Sequence, residues 1–273
     1  MIALFFVLVF FTGASVGSFL NVCIARWPAE QSVVRPRSRC PRCGAGIAWY
    51  DNVPVVSWLV LRAKCRSCGL PISIAYPAVE SIVGLIWVAS VFWFGPGFIA
   101  LRVAVFATIL LGIAVTDAKH YLIPDGFTIT GLAFGGVASL VGVYLGAQDP
   151  FASPADALFG ACVGAGAITI IGWLGEVAFK KEAMGFGDTT LMAMVGVALG
   201  PGRSLLTIFV GAFFAAVVFL LFVYPVGLLR ARARGASFET PLVPFGVFLA
   251  PAAIFTLLFG SSLIGWYLDR VIG

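Results

Sequence analysis

The chain has 273 residues, of which 61% are hydrophobic and only 11% charged, with a formal net charge of +5 and a mean hydropathy of +1.06. A soluble surface needs roughly 25% charged residues, and disorder needs low hydrophobicity with high charge. The composition therefore excludes both a water-soluble globule and a disordered chain, and it predicts a membrane protein.

Charge-free runs mark the spans. They cover residues 1–25, 81–101, 103–116, 126–148, 157–175, 189–202, 204–229 and 240–268. A helix needs about 20 apolar residues to cross roughly 30 Å of hydrocarbon, and six of the runs approach or exceed that length. Run 103–116 becomes a full span by starting near Phe98, with Arg102 snorkelling outward. Run 189–202 ends at Gly200-Pro201-Gly202 and stays short. The pattern predicts an all-α polytopic membrane protein of about eight transmembrane helices. Its parts are a first helix over 1–25, a loop domain over 26–76, and a seven-helix membrane domain over 77–273. The first run lacks the positive n-region of a cleavable signal peptide, so it is read as a helix.

Orientation follows from the basic residues. If the 26–76 loop is cytosolic, fourteen Lys and Arg residues share its side of the membrane, among them Lys119, Lys180, Lys181, Arg230, Arg232 and Arg234. Three (Arg102, Arg203 and Arg270) fall on the other. Positive charge stays inside, which predicts a cytosolic loop and both termini outside. The basic residues are scattered over four loops, so the net charge is topological. Membrane lipid is the expected surrounding, and no nucleic-acid partner is expected.

The loop carries Cys40-Pro41-Arg42-Cys43-Gly44 and Cys65-Arg66-Ser67-Cys68-Gly69, with 21 residues between the pairs. Paired C-x-x-C knuckles, each followed by glycine, fit a tetrahedral zinc site of Cys40, Cys43, Cys65 and Cys68. The two-residue gap lets both sulfurs of a knuckle reach one ion. A loop this short has little core, so the metal would supply much of its folding free energy. Two disulfides or simply free thiols are the alternatives, and cytosolic placement disfavours disulfides. Cys23 and Cys162 lie in apolar runs and are read as small buried side chains.

Among the acids, Glu80, Asp117, Glu176 and Asp188 border or enter apolar spans. Asp117 ends the third span, followed after a short polar stretch by Ile123-Pro124-Asp125, and Asp188 opens the sixth after Gly185-Phe186-Gly187. From Asp188 to Leu199 is about 18 Å of helix, too short to cross the hydrocarbon. Irregular backbone at membrane depth needs protein or a watery cavity around it, which predicts that Asp188 lines a water-accessible crevice. Two close carboxylates share one proton, so one serves as base and the other as acid. Spacing leaves three readings open: a hydrolytic acid pair, helix-end acids with Asp188 as an N-cap, and a proton path. The one histidine, His120, excludes the two-histidine zinc motif of membrane metalloproteases.

The Gly185-Phe186-Gly187-Asp188 run matches the G-x-G-D signature of intramembrane aspartyl proteases. With Asp117 and Ile123-Pro124-Asp125, it resembles the bacterial type IV prepilin peptidase (prepilin leader peptidase and N-methyltransferase) family. Gly17-Ser18-Phe19-Leu20-Asn21-Val22, the two knuckles, Asp51-Asn52-Val53-Pro54, Ser57-Trp58-Leu59, Ile72-Ser73, Tyr76-Pro77 and Glu80 are similar to that family in the same order. The resemblance implies a bifunctional enzyme of the bacterial inner membrane. It would cleave the leader of a prepilin or pseudopilin after a glycine at the cytosolic face, then methylate the new amine with S-adenosylmethionine. The catalytic pair implied is Asp117 and Asp188, with Asp125 the less favoured partner. Many members carry lysine where this sequence has Thr190, which bears on how Asp188 is tuned. Methyl transfer has no G-x-G-x-x-G after a strand, because Gly131, Gly135 and Gly136 lie in an apolar helix and suit close helix packing. A methyl-donor site would therefore be built from the loop and nearby helix ends, with Glu80 as a candidate. A proton-coupled transporter and a zinc-bearing membrane scaffold are the alternatives.

Overall fold

The computed structural model describes residues 1–180, 184–234 and 243–271. Among them every regular element is helical, with two isolated bridges, Arg39 with Gly46 and Lys64 with Pro71. Lys181 and residues 240–242, used above for orientation and for the last run, lie outside the described residues.

Among the described residues, seven helical stretches are long and apolar enough to cross a membrane. They are α1 (Ile2–Arg26), α3 (Ala75–Phe94), α4 (Phe98–His120), α5 (Asp125–Tyr144), α6 (Pro154–Phe179), α8 (Pro201–Val218) with its extension, and α10 (Gly246–Val271). A short α2 (Val56–Val60) lies in the loop. The α8 extension runs through a π-turn over Phe219–Val223 into α9 (Tyr224–Arg234). There Tyr224 donates five residues back, to Phe219. Pro225 follows and has no N–H for the usual ladder. Many large apolar side chains on these helices face outward, including Phe92, Trp93, Ile129, Phe213, Phe214, Leu221 and Phe222. In water such a surface would aggregate, whereas lipid accommodates it.

The eighth apolar helix, α7 (Phe186–Leu199), has 14 residues, about 21 Å of rise. It is enclosed by protein: Leu191, Met192, Met194, Val195, Val197, Ala198 and Leu199 are all buried, and the helix packs mainly on α6 and α5. Wrapped this way, it has no need to reach both membrane surfaces. The α6–α7 contact is set by glycine. A Cβ at Gly160 would strike the Gly196 carbonyl, and one at Gly164 would strike the Met192 carbonyl. Gly160 faces Gly196 and the Gly200 cap, and Gly164 one turn on faces Met192, the small-xxx-small spacing that lets backbones approach. Gly135 does the same on α5, where a Cβ would sit 2.8 Å from Val197 Cγ1. At Gly136 nothing lies within 4 Å.

The chain forms two compact units, Met1–Gly112 and Ile113–Gly273. In the first, α1 packs along α3 through Gly13, Gly17 and Gly84. A Cβ on Gly17 would meet the Glu80 backbone at 2.9 Å. In the second, α5, α6, α8 and α10 surround α7. Two sequence expectations are corrected here. Arg102 does not snorkel to the surface but is 1% exposed, its guanidinium 5.9 Å from the Phe98 ring centroid. Cys23 is buried as expected, but Cys162 is exposed on α6.

Candidate active site

Asp117 stands in the last turn of α4 and is 5% exposed. Its Oδ2 accepts a 3.2 Å hydrogen bond from the backbone N–H of Val247, and the Gly246 N–H faces the same carboxyl. Both amides belong to the first turn of α10, whose free N–H groups carry the positive end of the helix dipole. A Cβ at Gly246 would lie 2.8 Å from Asp117 Oδ2, so a side chain there would push the carboxyl aside.

Asp188 stands in the first turn of α7 and is half-buried, its N–H donating to the Gly185 carbonyl at 3.1 Å. The preceding Gly187 packs directly on the Ile123-Pro124 turn, where a Cβ would meet Ile123 Cβ at 2.9 Å. Ile123 in turn reaches Gly246, with its Cδ1 3.0 Å from a Cβ built there. Ile123 therefore wedges the start of α7 and the start of α10 together at the level of Asp117, which leaves the Asp117 carboxyl near enough to Asp188 for two charges to repel. The structure brings these two acids together. Asp125 is exposed at the start of α5, and Glu176 is exposed near the end of α6. Thr190 donates to the Gly187 carbonyl at 3.0 Å, so its hydroxyl braces the helix start. The pair can hold one proton between two carboxylates beside two helix N-termini, which suits acid–base chemistry on a polar bond.

In the first unit the two knuckles fold alike. Gly44 donates to Cys40 O, and Gly69 to Cys65 O, each at 2.9 Å, while Cys40 N donates to Ala45 O and Cys65 N to Leu70 O. Gly44 and Gly69 sit at φ 72° and 68°, the left-handed conformation that glycine adopts most readily. Each knuckle closes on one isolated bridge. The four sulfurs lie within 4.8 Å of one another, Cys40 and Cys68 at 4.0 Å. Zn–S bonds of about 2.3 Å in a tetrahedron place sulfurs about 3.8 Å apart, so the cage fits such an ion, and the four cysteines can hold a metal. The N–H groups of Cys43 and Arg42 hold the Cys40 thiol down to about 6. At Cys68 the Leu70 N–H pulls down, but burial and three neighbouring sulfurs outweigh it and push the thiol up to about 11. Asp51 and Arg66 tie the second knuckle to the preceding turn through bonds of 2.7 and 2.6 Å. The Arg66 guanidinium holds the Asp51 carboxyl below its usual range.

Beside the knuckles, a cavity of about 620 Å³ opens between the loop and the cytosol-facing ends predicted for α1 and α3. Its walls include Ser18, Asn21, Asn52, Trp58, Tyr76 and Glu80, so the short motifs scattered over the first 80 residues converge on one space. Glu80 is 9% exposed, and its Oε2 accepts from the Val55 N–H at 2.8 Å. Val55 has φ 62° and ψ −49°, and Val56 N donates to Pro54 O across it, closing a γ-turn. A β-branched residue in that region is strained.

Sequence reasoning missed Gly246 and Val247, because amide donors have no side-chain signature. The usable signal was Pro244-Phe245-Gly246 opening an apolar helix. It also missed the Gly160/Gly164 seam, whose four-residue spacing was readable.

The chain matches two family models, the Bacterial Peptidase A24 N-terminal domain over residues 11–94 and the Type IV leader peptidase family over residues 104–221. A prepilin leader peptidase/N-methyltransferase of Myxococcus xanthus is 41% identical over 86% of this chain, which spans 65% of that relative's length. Proteins of the same name from Aeromonas hydrophila and Pseudomonas aeruginosa are each 34% identical, over 98% and 94% of this chain and 95% and 91% of their own lengths. No solved structure gives a significant match. With its G-x-G-D helix start and relatives matched nearly end to end, this multi-pass membrane protein belongs to the type IV leader peptidase family.

Proposed function

We propose that the protein cleaves the leader from a prepilin or pseudopilin with Asp117 and Asp188 and then methylates the new N-terminal amine. The observation that carries the protease half is the meeting of a buried Asp117 with Asp188 across the Ile123 wedge. In the reaction, the ionised acid takes a proton from water, whose oxygen bonds the peptide carbonyl carbon. The protonated acid gives its proton to the carbonyl oxygen. The acid that was formed then passes its proton to the amide nitrogen as the C–N bond breaks. Its partner takes back a hydroxyl proton, and the pair returns to its starting state. The substrate class rests on the relatives' names, which specify prepilins. No observation favours the transporter or scaffold readings over this one.

For methyl transfer the names imply a donor, and S-adenosylmethionine is the reading that fits. It would supply an electrophilic methyl group. The cavity's volume falls within the 300–1,000 Å³ of small-molecule sites. Trp58 offers a ring for stacking, Arg37 and Arg39 on the rim offer charge for a carboxylate, and Glu80 offers a carboxylate for an ammonium. Zinc is the proposed ion of the four-cysteine cage, with a structural role. The proposed setting is the bacterial inner membrane, with the loop in the cytosol and both termini outside, which supports access to a substrate before its export.

Incubating membranes that contain the protein with a prepilin, and reading the product's N-terminus by mass spectrometry, tests both halves. Cleavage that persists in Asp117→Asn and Asp188→Asn would remove the protease assignment.

A further inference from the structure

We propose that the first turn of α10 is the third element of the catalytic site, and that its Gly246 and Val247 amides make Asp117 the charged member of the pair and Asp188 the proton donor. This rests on the acid-pair reading above. Gly246 and Val247 lie about 130 residues beyond Asp117 in sequence, yet both amides point at its carboxyl. An amide can only donate. Two donors on one carboxyl stabilise its ionised form, which accepts at both oxygens, over the acid form, which must itself donate. The helix dipole acts in the same sense.

Asp188 receives less. It too stands in a first helical turn, but one amide, that of Gly185, faces its carboxyl against two at Asp117. Repulsion between the two carboxyls allows one charge and not two, so the proton resides on Asp188. In the forward step Asp117 takes the proton of the attacking water, and Asp188 delivers its proton to the carbonyl oxygen. Gly246 and Val247 touch Asp117 rather than the reacting atoms, so they are positioning residues.

Glycine at 246 is the testable feature, because a Cβ there would press Asp117 Oδ2 at 2.8 Å and Ile123 Cδ1 at 3.0 Å. These contacts separate under substitution. Full-length protein in lipid vesicles carrying Gly246→Ala should lose at least tenfold in kcat for prepilin cleavage, with KM within twofold of wild type. Adding Ile123→Val removes the Cδ1 contact and should leave kcat low, because the pressure on Asp117 remains. Recovery of kcat in Gly246→Ala/Ile123→Val would show that Gly246 serves packing alone and would overturn the inference. Full kcat in Gly246→Ala, beside an inactive Asp117→Asn, would overturn it while leaving the acid pair standing. An active Asp117→Asn would instead sink the acid pair itself. The roles are read by chemical rescue. Formate is ionised at neutral pH and can act as a base but not as an acid. It should restore part of the cleavage in Asp117→Gly and none in Asp188→Gly; any other pattern overturns the division of roles.

Discussion

The carboxylate of Glu80 holds the amide of Val55 at 2.8 Å, and so fastens a strained turn of the loop to a membrane helix. A left-handed valine costs about 1–3 kcal/mol and persists where its surroundings hold it. The same carboxylate lines the cavity proposed for methyl transfer, so the clasp and the charge can be separated by substitution. Glu80→Gln keeps an oxygen for the Val55 amide and removes the charge. It should lower methylation of the cleaved pilin by tenfold or more while leaving metal content and cleavage intact. Glu80→Ala removes both and should also loosen the turn, read as faster proteolysis of the loop. Methylation at the wild-type level in Glu80→Gln would reduce Glu80 to its clasping role.

The four-cysteine cage predicts one zinc per chain. Metal analysis of purified protein should give a stoichiometry near one, falling towards zero in Cys40→Ser. Loss of the ion should open the two knuckles and spoil the wall of the neighbouring cavity, so methylation should fall more than cleavage. A folded Cys65→Ser protein that loses both equally would show that the loop also serves the protease.

The Asp51–Arg66 pair gives the loop a pH dependence of its own. Its ion pair keeps the Asp51 carboxyl below the ordinary value of about 3.9 in the folded loop. Asp51 therefore adds stability above that unfolded value, and the contribution is lost as pH falls through the lower folded one. The Arg66 side chain is 56% exposed and that of Asp51 10%, so solvent screens the pair from the Arg66 side and the effect is small. Loop proteolysis in Asp51→Asn should exceed wild type by no more than a few-fold at neutral pH. The difference should vanish well below pH 4. Reading a difference cancels the acid loss of metal that both proteins share. A difference that grows towards acid pH would mean that Asp51 acts through something other than Arg66.

Much of this was legible in the sequence because its carriers are few and chemically distinct. Charge-free runs gave the helices, and paired cysteines with glycine gave the cage. An acid at the end of one run and another after Gly185-Phe186-Gly187 gave the two acids proposed to act together. The short α7 was legible as a length but not as a burial, since only packing shows that α5 and α6 enclose it. Arg102 misled because snorkelling assumes a lipid neighbour, whereas this guanidinium is enclosed by protein. Least legible were contacts made by backbone. The amides that hold Asp117 have no side-chain signature, and the glycines that let α7 approach α6 and Ile123 were readable as spacings but not as the partners they meet.

The acid pair itself makes the strongest demand. Asp117→Asn and Asp188→Asn keep size and most hydrogen bonding while fixing one member neutral. Each should lower cleavage by about 10²–10⁴-fold, the usual contribution of a general acid or base. The double variant should be little worse than either single one, because residues that act as a unit lose function non-additively. Asp125→Asn is the control for lost charge, since Asp125 is exposed at the start of α5. Asp156→Asn is the control for lost capping, since Asp156 exchanges hydrogen bonds with Ser153 at the start of α6. Both should cleave within a few-fold of wild type. Additive losses in the double variant would mean that the two acids work independently. A control as damaged as Asp117→Asn, in protein still inserted and folded, would move the chemistry away from the wedge at Ile123.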